Sequence, residues 1–260
     1  MSSRRFGEWF LTSVPLIAFL ALWQIVGSSS QRMGFLYSTP TTIMTTLFTQ
    51  LQQGQFWNDI GITSAEVVGG LVLGNSMGTA LALLLWLFPT IGRISQPYVV
   101  AIGSIPVFAI MPLFILWFGI GFSGKLAIII FSTAFVALAY SFAAAVAVGR
   151  EYEEMIASIG GSRADLLRKI VVPGIISRSF IAYRINVSFA LIGAYVAEWV
   201  SAKSGLGQFI LRATSLYDVP RVWTGLIMFL ALAFILYGLT SLAERLAVPG
   251  SKTRTSRPLW

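Results

Sequence analysis

The chain has 260 residues, of which 56% are hydrophobic and 11% charged, with 18 Lys and Arg against 10 Asp and Glu. Ordinary soluble domains carry about 25% charged residues, so this chain lacks the charge to cover a soluble surface, and its apolar content excludes disorder. The absence of cysteine and histidine excludes disulfides, thiolate metal sites and cysteine nucleophiles, and it removes the commonest general base and metal ligand. The composition is that of a membrane protein with no metal site.

A helix needs roughly 20 apolar residues to cross the hydrocarbon core. Six stretches qualify, at about 10–27, 61–88, 98–118, 125–148, 179–200 and 223–243. The first follows Arg4 and Arg5 but has no clean small-residue cleavage site, so it is read as a retained span. The predicted fold is all-α and polytopic, a single transmembrane domain over 1–260. Counted with the N-terminus inside, inner segments hold twelve Lys and Arg and outer segments five, with Arg184 inside the fifth span. That bias places both termini in the cytoplasm. The net charge of +8 is then a topology signal, and nucleic acid is not expected as a partner.

The connectors differ in kind. Residues 28–60 form an outer segment in which Pro40 opens a surface helix ending near Gly54. The second span carries Gly70, Gly74 and Gly78 at four-residue spacing, a smooth face for close helix packing, together with Asn75, which needs a partner inside the membrane. The third span contains Pro106 and Pro112, each of which removes a backbone hydrogen bond and kinks a helix. Kinked membrane helices are tolerated beside a cavity or other protein, so both prolines are candidates for lining a translocation pathway. Gly119 to Lys125 imitates a phosphate loop, but Leu126 stands where Ser or Thr is required, and the stretch lies between two spans. Nucleotide chemistry is therefore left to another chain.

Ionisable residues within spans are functional candidates by default. Glu66 and Glu198 lie toward the outer ends of their helices and are candidates for the pathway or an external gate. Arg184 lies near the inner end of the fifth span, where its stem can reach the headgroups.

Residues 149–178 are the largest inner connector and hold 9 of the 28 charged residues. Glu154 to Ile159 predicts a short amphipathic helix stopped by Gly160 and Gly161. Ser162 and Asp165 form a capping box that restarts a helix, and Pro173 is expected to halt it. A helix, a glycine hinge and a second helix suit docking into a partner's groove or resting on lipid.

Glu154, five residues, Gly160, nine residues, Ile170, one residue, Val172 and Pro173 resemble the EAA loop of bacterial ABC-importer permeases. Met155 and Ile156 replace the usual alanines and Val172 the usual leucine. Ile105 to Gly121 and Val196 to Ile210, with Ser204-Gly-Leu-Gly207, resemble the nitrate, sulfonate, taurine and bicarbonate branch. Glu66 stands where many members carry Arg. The resemblance implies a type I importer fold with cytoplasmic coupling helices. It implies a non-enzymatic permease subunit for a small solute such as an anion, paired with a second permease copy. Two cytoplasmic ATPases would carry ATP and Mg, and an external substrate-binding protein would deliver the solute. It places Glu154, Ala157, Gly160, Gly161, Ile170 and Pro173 in the ATPase-coupling loop. The alternative is a stand-alone channel or ion-coupled carrier, for which the expected repeated halves are not visible.

Overall fold

The computed structural model describes residues 2–201 and 203–247, with side chains from residue 14 onward except those of 150, 151 and 201. The basic tail at 252–260 lies outside the described residues. Among the described residues every regular element is helical: α1 (Ser2–Ser28), α2 (Gln31–Tyr37), α3 (Pro40–Leu51), α4 (Gly54–Leu87), α5 (Pro89–Gly103), α6 (Val107–Phe118), α7 (Phe122–Ser158), α8 (Arg163–Leu166), a π turn (Leu167–Val171), α9 (Val172–Ser201), α10 (Leu206–Ser215) and α11 (Val219–Ala247). By Cα packing the chain falls into two units, Met1–Gly61 with Ser204–Phe229 and Ile62–Lys203 with Leu230–Trp260.

The second unit is built on α4, α7 and α9. Buried Gly70, Gly74 and Gly78 set α4 against Ile129, Thr133 and Ala134 of α7, where any added Cβ would collide with α7 atoms. Contacts advance by four residues on both helices in the same direction, so α4 and α7 run parallel. Asn186 of α9 ties the three together: its Nδ2 donates to Asn75 Oδ1 and to the Thr133 carbonyl, both at 2.9 Å. Asn75 Nδ2 donates in turn to the Leu71 carbonyl at 2.7 Å. The amide that the sequence left without a partner is thus satisfied inside the bundle, as buried polar groups must be.

The parallel run decides the reading of the segment between α4 and α7. Glu66, twelve residues into α4, contacts Lys125 near the start of α7, whereas α4 ends at Leu87. Twenty residues of helix measure about 30 Å, so residues 88–121 must return across that length. They do so as α5 and α6, bent by 94° at the break. The smoothly kinked third span expected at 98–118 is therefore a broken span. Pro106 is the N-cap of α6, with φ −60° and ψ 127°; it lacks the N–H that would extend α5, and Ser104 and Ile105 form the corner. Pro112 is carried inside α6 without ending it.

Among the described residues four helices are long and apolar enough to cross a membrane, and the bent pair makes a fifth. The first expected span, at about 10–27, falls within α1 (Ser2–Ser28). At 37 residues, α7 is about 55 Å long and outruns the hydrocarbon core. Hence the expected separate helix at Glu154–Ile159 is the last turns of α7. Gly149, the one glycine near that junction, packs on the Trp86 indole and does not break it. Nor does Pro173 halt a helix: α9 runs through it from Val172 to Ser201. The preceding π turn shifts the hydrogen-bond register just where proline has no N–H to give.

In the first unit, the Thr39 side chain accepts from the Thr42 N–H to cap α3, with Pro40 at its first position. Trp23 stacks at a tilt on Trp223, centroids 4.8 Å apart. Buried Asp59 accepts from the Gly205 N–H at 2.8 Å, fixing a turn whose φ of +114° favours glycine.

Candidate functional site: a helical turn and a buried charge cluster

Two arrangements gather most of the candidate residues, and both lie in the second unit. At one end, α7 closes with a paired hydrogen-bond motif. The Gly161 N–H donates to the Ile156 carbonyl at 2.9 Å and the Gly160 N–H to the Ala157 carbonyl at 3.0 Å. This is the Schellman arrangement, whose penultimate residue is left-handed; Gly160 fills it with φ +73°. The chain then restarts at once. Ser162 Oγ accepts from the Asp165 N–H at 3.2 Å, and Asp165 Oδ2 accepts from the Ser162 N–H at 3.0 Å. Lys169 lies 2.8 Å from the same carboxylate. The Lys169 ammonium, then the Ser162 hydroxyl and N–H, hold the Asp165 carboxyl well below the usual carboxylate range.

Below the turn, Ile156, Leu166, Val171 and Ile175 bury themselves with Trp86 and Ala145, and Ile170 and Tyr152 pack against them. This explains the departure at Ile156: the larger side chain fills the contact with Trp86. The outward face carries Glu154, Met155, Ala157, Ile159 and Gly160, all exposed, with Ile159 74% accessible. Gly161 is half-buried, and a Cβ there would meet Ile156; Pro173 is exposed on the first turn of α9. The segment is therefore a ledge on a packed base, with a largely apolar upper surface around Glu154.

At the other end of the same bundle, Glu66 and Glu198 are wholly buried and Lys125 nearly so. Lys125 pairs with Glu66, and Thr63 Oγ1 donates to Glu198 Oε1 at 2.6 Å. Both carboxylates thus face helix neighbours and not an open cavity. Lys125, the residue that imitated a phosphate-loop lysine, is the counter-ion of Glu66. Its hint in the sequence was a charge at a span edge, but nothing local revealed the partner 59 positions away. Pro106 and Pro112 are exposed on α5–α6 and join neither arrangement. Arg184 pairs with Glu244 of α11 and lies over the Tyr237 ring. Among the described residues no cluster of acidic residues is suited to hold a metal.

The family described as "Binding-protein-dependent transport system inner membrane component" matches residues 70–247. The formylaminopyrimidine transport permease protein ThiX of Halalkalibacterium halodurans is 30% identical over 239 residues, covering 92% of this chain and 96% of its own. The riboflavin transport system permease protein RibX of Chloroflexus aurantiacus is 31% identical over 253 residues, covering 95% and 92%. The aliphatic sulfonates transport permease protein SsuC of Escherichia coli is 26% identical over 242 residues, covering 93% and 90%. A solved inward-facing structure of the MetNI methionine ABC transporter shares the fold with a TM-score of 0.66 at 16% identity, over 74% of this chain and 95% of that one. The matched stretch takes in the charge cluster, apart from Glu66 and Thr63, and the whole glycine-turn ledge. The chain belongs to the binding-protein-dependent transport system inner-membrane components and is an ABC-importer permease.

Proposed function

We propose that this permease pairs with a second permease copy to form the pathway for a small organic solute, and that the ledge from Glu154 to Pro173 receives the ATPase. ATP and Mg reside on that ATPase, and an external binding protein delivers the solute. The observation that carries the coupling role is the Gly160 turn. It presents an exposed, largely apolar surface around Glu154 on a base packed against α4, α7 and α9, so force applied there is transmitted to the spanning bundle. The charge bias puts this ledge and both termini in the cytoplasm. Glu66 and Glu198 then lie toward the outer ends of their helices, as parts of the external closure. The solutes after which the relatives are named, formylaminopyrimidine, riboflavin and aliphatic sulfonates, favour an organic solute over nitrate or bicarbonate.

The test replaces Gly160 with Leu, whose Cβ makes the left-handed backbone unfavourable by about 1–2 kcal/mol. Co-expressed with its ATPase, the variant should insert in the membrane yet retain little ATPase on purification, and solute-loaded binding protein should no longer stimulate hydrolysis. Normal assembly and normal stimulation in that variant would remove the coupling role.

A further inference from the structure

Beside the ledge, two adjoining cavities of about 490 and 560 Å³ lie among α4, α5 and α7 and share Leu85, Arg93, Phe142 and Val146. Their linings differ. The first extends along α5 and α7 between Val99, Val100, Leu138 and Ala143, and it is apolar apart from Arg93 and Gln96. The second opens toward Arg163 and Glu153 of the ledge. Arg163 lies over the Trp86 ring with its Cζ 5.4 Å from the centroid, so the indole fixes this cation at the mouth. Among the described residues no carboxylate forms an ion pair with Arg93 or Arg163. Glu153 offsets one of the two positive charges and leaves the mouth with a net charge of +1.

An anionic group at the mouth and a hydrocarbon tail in the slot would satisfy both halves at once. Neither a wholly polar solute nor a neutral lipid matches that division. The height in the membrane agrees: Arg93 sits near the start of α5, which opens at Pro89 directly after α4, close to the level where inner-leaflet headgroups lie on the charge-bias topology. The slot is also preformed. Gly92 is buried, and a Cβ there would press on the Leu85 carbonyl at 2.8 Å and the Phe142 ring at 3.0 Å, so glycine keeps α5 close enough to α4 and α7 to give the slot its wall.

We propose that this cavity binds one anionic phospholipid of the inner leaflet, its phosphate between Arg93 and Arg163 and an acyl chain along α5 and α7. The bound lipid joins α5 to the coupling ledge, two segments that otherwise meet only through α4 and α7. The proposal does not depend on the identity of the solute or on ATPase docking, because its readout is lipid retention by the permease itself.

The test purifies the full chain in detergent, adds equimolar phosphatidylglycerol and phosphatidylcholine, and counts retained lipid by native mass spectrometry. Each basic side chain near a membrane surface attracts anionic lipid about fivefold, so phosphatidylglycerol should be retained in preference by at least that factor. Arg93→Gln should remove about fivefold of the preference and Arg93→Lys should keep it. Ala143→Leu, which narrows the slot, should lower retention while the arginines remain. Glycerol 3-phosphate, the headgroup without chains, should not displace the lipid. Equal retention of the two lipids by the unaltered chain would overturn the proposal. An unchanged preference in Arg93→Gln would do the same. Displacement by glycerol 3-phosphate would show a soluble-anion site in its place, and so would also overturn it.

Discussion

Glu66 and Lys125 show how a membrane bundle tolerates charge. Each buried alone would cost several kcal/mol, and the pair survives because opposite charges meet where α7 begins alongside α4. Breaking such a pair is worse than replacing it, since one uncompensated charge remains; the cost is about 3–5 kcal/mol. Lys125→Met should therefore lower the thermal unfolding temperature of the detergent-purified chain sharply. The double variant Glu66→Leu with Lys125→Met should recover most of the loss. If the double variant is as unstable as the single one, the charges serve more than their mutual neutralisation.

At the scale of elements, the α4–α7 contact and the restart after α7 depend on different chemistry. The glycine face works by absence: Gly74 lies against Thr133 and the Ile130 carbonyl, whereas Gly238 of α11 has nothing within 4 Å. Gly74→Leu should separate the parallel helices and cost about 1–3 kcal/mol or more by overpacking. Gly238→Leu should leave the melting profile unchanged, and equal effects at both sites would show that α4 and α7 do not pack as described. The capping box works by hydrogen bonding to a carboxylate. Its Asp165 has a depressed folded pKa, so its contribution is complete above the unfolded value of about 3.9 and fades only as acid titrates the carboxyl toward the lower folded value. The ratio of amide exchange rates between Asp165→Asn and the unaltered chain at Ser162 to Asp165 should accordingly be the same at pH 6 and pH 8. A ratio that shrinks toward pH 6 would mean the carboxylate titrates in the physiological range.

For the whole molecule, topology links the two ends of the second unit. The parallel run of α4 and α7 requires α5–α6 to cross once, which places Ser123 and the Ser162 ledge at opposite ends of α7. The chain has no cysteine of its own, so single cysteines report cleanly. A cysteine at Ser123 should react with an impermeant thiol reagent applied outside intact cells, and one at Ser162 should react only after permeabilisation. Reaction of both from the same side would overturn the crossing of the membrane by α7.

Composition alone determined that this chain lives in a membrane, because charge at 11% cannot cover a soluble surface. Its loop arginines set the expected orientation. Local spacing determined the glycine face, the Ser162–Asp165 cap and the Gly160 stop, since each depends on residues within one or two turns. Tertiary structure decided what depends on neighbours far along the chain: the pairing of Glu66 with Lys125, of Arg184 with Glu244, and of Asn75 with Asn186. It also decided that Glu154 belongs to the end of α7, that a π turn lets α9 run through Pro173, and that the third span breaks at Pro106. The physical reason is common to all of these. Propensity describes what a segment can do in isolation, whereas a partner 59 to 111 residues away settles which charge is neutralised, which amide is satisfied and where a helix has room to continue.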